Sequence, residues 1–146
     1  MTANATPRTD VKALAASLGA VSIGVSWAEA RANARAECLI GNGVVFGGTT
    51  AAPVTLTAST APASGYAADA EAFAAGGGLL LSANGAIANA RDNTVALAQV
   101  GNNVVLSNGG SLTVNSVARP AARAIGQGYS RAGLAAIGVP QADARA

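Results

Sequence analysis

The sequence contains no histidine. That removes Ser-His-Asp and Cys-His catalytic constellations and imidazole metal sites. A single cysteine, Cys38, has no internal partner, so the chain is not a disulfide-stapled secreted domain. Only Trp27, Phe46, Tyr66, Phe73 and Tyr129 are aromatic. Charged residues make up 11%, with a net charge of +2. The nine Lys and Arg are scattered and form no basic stripe, which argues against a nucleic-acid partner. No apolar run reaches the roughly 18 residues of a membrane-spanning helix.

What is abundant is alanine. There are 38, about half of a 51% apolar content, together with 18 Gly. Stabilisation by burial scales with apolar area, and Ala supplies little of it. A thick globular core is excluded, and a thin one of close-packed small residues is expected. Mean hydropathy is +0.37, which does not fit a disordered chain.

The stretch SLGAVSIGVSWAEARA, residues 17–32, has the look of a secretory signal: a small apolar run, an Ala-Glu-Ala cleavage pattern, and Arg8 and Lys12 upstream. It also recurs. Residues 130–146, SRAGLAAIGVPQADARA, match residues 16–32 at eight of seventeen positions, with Asp143 opposite Glu29. A repeat that resembles a signal is the better reading, so these residues are expected to remain in the mature protein.

Half of that spacing places a middle copy at FAAGGGLLLSANGAIANARDN, from Phe73. With Gly77 as anchor beside Gly19 and Gly133, Ala86–Ala90 fall on Ala28–Ala32. GNGVVF at 41–46 pairs with GNNVVL at 101–106, and VTLT at 54–57 with LTVN at 112–115. The period is about 57–58, in the range of stacked repeat architectures. The organisation expected is a tail over 1–12 and one repeat domain over 13–146. Its units lie near 19–76 and 77–132, with a partial third over 133–146.

Ala-rich segments favour helix in isolation, but copies should share one structure, and the second carries Gly76-Gly77-Gly78 and Gly85 while the third carries Gly133, Gly138 and Pro140, which do not suit helix interiors. The persistent pattern has period two. Ala28, Ala30, Ala32, Ala34 and Ala36 alternate with polar residues, as do Ala68, Ala70, Ala72 and Ala74 around Asp69, Glu71 and Phe73. That predicts half-buried strands, about five per unit and 5–10 residues long, with Asn42, Asn102, Asn103 and Asn108 at turns. The fold expected is an all-β repeat β-solenoid, parallel β-helix-like, with an antiparallel repeat as the alternative.

Chemistry is sparse. Cys38, beside Glu37 and near Arg35, reads as a small strand residue equivalent to Leu97 or a neighbour, not a reactive thiol. Asp69 and Glu71 share a strand face and form a candidate pair of carboxylates for glycoside chemistry, although a solvated polar face is the simpler reading. GNGVVFGG and GQGYSRAG lack the features of a phosphate loop and read as turns. Phe73 and Tyr129, each four residues before an anchor glycine, read as one repeated core position. No catalytic, cofactor or metal residue is assigned.

Residues 95–116, VALAQVGNNVVLSNGGSLTVNS, resemble the V-x-A-x-V-G-x-x-x-V unit of large bacterial filamentous adhesins of the haemagglutinin-like and leukotoxin-type families. Residues 124–146 are similar to the small-residue segments between such units. The resemblance implies a structural or adhesive segment of a secreted or cell-surface β-solenoid fibre. No enzymatic activity is expected, a host-surface or glycan ligand is the expected partner, and terminal strands with unpaired backbone groups are expected to drive end-to-end self-association. A carbohydrate-binding or carbohydrate-cleaving β-helix, and a self-assembling fragment without a specific ligand, are the alternatives.

Overall fold

The structure, a computed structural model, describes residues 1–107 and 109–146. Asn108, one of the expected turn residues, lies outside the described residues. Eleven strands follow in order among them: β1 (Thr2–Ala5), β2 (Thr9–Ala32), β3 (Arg35–Ile40), β4 (Val45–Phe46), β5 (Val54–Thr60), β6 (Ala68–Asp92), β7 (Val95–Val100), β8 (Val105–Leu106), β9 (Leu112–Ala118), β10 (Ala122–Ala132) and β11 (Ala135–Arg145). Every pairing between them is parallel. This removes the antiparallel alternative.

The chain forms two compact units and passes repeatedly from one to the other. The first comprises residues 1–7, 33–63 and 93–120. Its sheets are β1-β5-β9, β3-β7 and β4-β8. The pairs read from sequence are in register: Val45 lies beside Val105, and Val54 beside Leu112. Leu56 and Ala58 are fully buried with Cys38 and Ile40, and Phe46 and Val100 pack against them. Asn42 and Asn102 occupy equivalent turns. The Asn102 amide donates to Asn42 Oδ1 at 2.7 Å, and Gly43 and Asn103 both have positive φ, a conformation that Gly and Asn tolerate best.

The second unit comprises residues 8–32, 64–92 and 121–146. Here β6 is central, with β2 along one side and β10 and β11 along the other. Residues 1–12, read from sequence as a tail, supply β1 and the start of β2 instead. The strands of this unit also exceed the expected 5–10 residues, since β2 has 24 and β6 has 25. Both bend back on themselves. Thr9 Oγ1 donates to Arg31 O at 3.1 Å, and Ser17 lies against Gly24. In β6 the bend falls at Gly78, where a Cβ would overlap the Leu81 carbonyl.

The interior between the two arms is lined by Ala28, Ala30, Ala68, Ala70, Ala74, Ala86, Ala88 and Ala90, all fully buried. Each buried methyl is worth only about 0.8 kcal/mol, so the core depends on close approach and on satisfied backbone pairing. The approach is close enough in the third repeat to require glycine. A Cβ on Gly126 would sit 2.6 Å from Gln141 O, and one on Gly138 would sit 2.9 Å from Gly128 O. Gly126 and Gly128 are therefore interior strand residues, not the turn expected from GQGYSRAG.

Small inner residues leave the large ones outside. Leu14, Leu18, Val21, Ile23, Val25 and Trp27 all project from the outer faces of β2. Trp27 is 62% exposed. Its fluorescence, the only tryptophan signal, should show the red-shifted emission of a wet indole and ready quenching by acrylamide. A blue-shifted, protected emission would contradict the inward-Ala assignment.

The register departs from the sequence alignment by one or two residues. Gly19 pairs with Gly78, not Gly77, and Ala28 with Ala88, not Ala86. The first residue of this shift is present from Thr9, which pairs with Ala68; a bulge between Gly19 and Val21 adds the second, because an extra residue in one strand shifts all pairing beyond it. Beyond the bend the first and third copies keep their expected correspondence, with Glu29 and Asp143 both beside Asn89.

Candidate functional site

Inside the bend of the second unit lies a polar cluster set into the alanine interior. The three repeats place Ser17, Gly76 and Ser130 in one column and Gly24, Asn84 and Gly138 in the facing column. In the outer repeats a serine faces a glycine, whereas in the middle repeat a glycine faces Asn84. The Asn84 side chain fills the space that Gly24 and Gly76 leave open. Its Nδ2 donates to Ser130 Oγ at 2.8 Å and to Ser82 Oγ at 3.1 Å, and its Oδ1 accepts from Ser17 Oγ at 3.2 Å. Ser22 Oγ donates to Ser82 Oγ at 3.0 Å. A buried amide is tolerated when its donors and acceptors are met, and here the network ties the three repeats together.

On the outer face, near the start of the arms, charges gather. Asp69 and Glu71 do share a strand face. Arg123 Nη2 sits between them, 2.6 Å from Asp69 Oδ2 and 2.6 Å from Glu71 Oε1. Lys12 Nζ is 3.0 Å from Glu71 Oε2, and Arg123 also lies over the Tyr66 ring at 5.1 Å. The hydrogen bond to Asp69 is the largest influence raising the Arg123 pKa, and that to Glu71 the largest raising Lys12. A glycosidase pair needs carboxyl groups that face a scissile bond from opposite sides. Here a guanidinium occupies the intervening place, so the cluster reads as a charge ladder across three strands.

Strand alternation separates Cys38 from its sequence neighbours. Arg35 and Glu37 point outward and pair with each other, while Cys38 is buried, its Sγ 3.5 Å from Met1 O. Cys38 lies beside Ala98, one residue from the expected Leu97. Among the described residues, no three Cys, Asp or Glu side chains converge as a metal-holding group.

Further along the same outer face the middle repeat falls away. In register, Ala16, Ala75 and Tyr129 form one column, and Leu18, Gly77 and Arg131 the next. Ala75 and Gly77 thus floor a trough of about 510 Å³, with Leu18 on one wall and Tyr129 and Arg131 on the other. It continues past Gly78 toward Leu79 at the bend. Phe73 packs against Tyr129 on the wall, its ring centroid 5.6 Å from that of Tyr129 and inclined by 41°. Phe73 and Tyr129 are therefore not one repeated core position. They occupy adjacent outer columns, because Phe73 pairs with Gln127 and Tyr129 with Ala75.

Sequence reasoning missed this trough, since it exists only once the three copies are in the right register. The signal was present in Gly76-Gly77-Gly78, where the middle copy lacks side chains that its flanking copies carry. Comparison with protein families, curated proteins and solved structures found no match.

Proposed function

We propose that the chain is a structural and adhesive repeat segment of a bacterial cell-surface or secreted fibre, wound as a parallel β-solenoid. The observation that carries this reading is the parallel ladder with open sides. Within the second unit, β2 pairs on one side only, as do β10 and β11. Such edges present unpaired N–H and C=O groups and accept another strand of matching length. A second copy of the chain offers that strand, and stacking one repeat on the next extends the alanine interior without new side-chain chemistry. The resemblance of residues 95–116 and 124–146 to filamentous adhesin repeats supports the same reading.

The two edges differ. β11 contains Pro140, while β2 and β10 contain no proline. Proline is accommodated at a sheet edge with its missing N–H turned to the open side, so an incoming strand loses one hydrogen bond there. Sedimentation velocity and negative-stain microscopy over a concentration series should show end-to-end assemblies that grow with concentration. Pro140→Ala should shift assembly to several-fold lower concentration, since one restored backbone hydrogen bond is worth about 1 kcal/mol. A monodisperse monomer at all concentrations, for both proteins, would remove the fibre reading.

A further inference from the structure

We propose that the trough over Ala75 and Gly77 binds an acidic pyranose unit of a polysaccharide, one that carries a carboxylate or a sulfate. This supplies a ligand for the adhesive reading and rests on it for biological sense. The site itself lies on one face of one stack and needs no second copy.

Three features of the trough favour a sugar. Its walls stand two strand spacings apart, roughly 10 Å, which admits a pyranose ring lying on the glycine floor. Its volume of about 510 Å³ suits a small ligand, for which sites of roughly 300–1,000 Å³ are usual. Tyr129 is 60% exposed and Leu18 is 89% exposed, so both present apolar surface to the C–H face of a sugar. Phe73 packs on the Tyr129 ring and holds it upright, which lowers the ordering cost of binding.

Arg131 makes the site selective for an anion. It follows Tyr129 by two residues and so projects on the same face, one pleat repeat further along the wall. The carboxylates of this unit are engaged elsewhere: Asp69 and Glu71 with Arg123, Glu29 with Arg31, Asp143 with Arg145, Asp10 with Arg8, and Asp92 with the Ala121 amide. Arg131 forms no ion pair among the described residues. Its planar fork of donors matches a carboxylate or sulfate in bidentate geometry. A single cation beside one aromatic ring fits one charged sugar. A nucleic-acid strand would need a track of such residues, and the trough has none.

Calorimetric titration of the full chain should use four probes: a polyuronate oligosaccharide, a sulfated oligosaccharide, a neutral glucan and a single-stranded DNA oligonucleotide. Binding of an acidic oligosaccharide at least tenfold tighter than the neutral glucan is expected. Whichever acidic probe binds more tightly identifies the anion as carboxylate or sulfate. Arg131→Gln should weaken that binding tenfold or more and flatten its salt dependence, and Tyr129→Ala should weaken it as well. Gly77→Leu should abolish it by filling the floor. That change spares the fold, because a Cβ on Gly77 meets only the flexible tip of Leu18, at 3.2 Å. An unchanged unfolding midpoint checks this. Arg91→Gln, on the outer face of the other arm, should leave binding unaltered. Failure of both acidic probes to bind, binding indifferent to Gly77→Leu and Arg131→Gln, or preference for the DNA overturns the proposal. None of these outcomes bears on whether the chain assembles end to end, which is read separately by sedimentation.

Discussion

Ala88→Glu should leave the protein unfolded under native conditions. Ala88 is 0% exposed and lies in the central strand of the second unit, beside Ala28 and Ala142. Its methyl faces other alanines across an interior with no cation. Removing a carboxylate from water costs several kcal/mol even after relaxation, and the longer side chain would also force the arms apart. A typical domain has only about 5–15 kcal/mol of stability in total. Ile87→Glu, one residue earlier and on the outer face, should change stability by no more than about 1 kcal/mol, as surface substitutions do. Denaturant unfolding followed by circular dichroism, with amide dispersion in NMR spectra, separates the two. A folded Ala88→Glu protein with a normal midpoint would mean that the alanine face does not line a closed interior.

The second large effect is a reciprocal one at Gly76 and Asn84. A Cβ on Gly76 would overlap the Asn84 amide nitrogen and sit 2.7 Å from Ser17 Oγ, so Gly76→Ser should destabilise by about 2 kcal/mol or more, as overpacking does. Asn84→Gly should cost a similar amount. It removes the group that Ser17 and Ser130 bond and leaves a void over Gly24 and Gly76. The double variant Gly76→Ser/Asn84→Gly gives the middle repeat the serine-facing-glycine arrangement of its two neighbours. It should recover most of the loss, with a coupling energy of about 1–3 kcal/mol in a double-mutant cycle. Additive losses would show that the two columns do not share one space.

Much of this arrangement was legible in the sequence, and the residues that carried it are instructive. The alternation around Asp69, Glu71 and Phe73 reported the inward alanines directly, because a strand's side chains alternate by construction. Asp143 opposite Glu29, and Val54 beside Leu112, came from matched spacing. The middle copy is displaced by one residue from Thr9 onward, and by a second beyond Gly19, where a bulged residue shifts the frame again. Phe73 and Tyr129 were misplaced for a second reason. Burial normally favours large apolar side chains, but these arms lie too close for them, so Leu, Ile, Trp and Tyr go outside. The trough depended on both errors being corrected, since Gly77 becomes a floor only when Leu18 and Arg131 are known to flank it. Asn84 was hidden likewise: alone it is an ordinary polar strand residue, and its role comes from Gly24 and Gly76 beside it and from serines in the two flanking copies.

The threading of the chain has a consequence for how such a protein can change over generations. Residues 1–7, 33–63 and 93–120 build one unit, and 8–32, 64–92 and 121–146 build the other. Neither is a continuous piece of the gene, so no single deletion or fusion can remove or donate one unit alone. A rearrangement that leaves both intact must cut at equivalent points of successive copies and therefore transfers a length that serves both at once. The interval between copies is not rigid: it is 60 residues from Val45 to Val105 and 58 from Val54 to Leu112. The connections between strands absorb that variation, and the bend at Gly19 and Val21 absorbs one residue more, so crossovers between imperfectly matched copies are tolerated at those places.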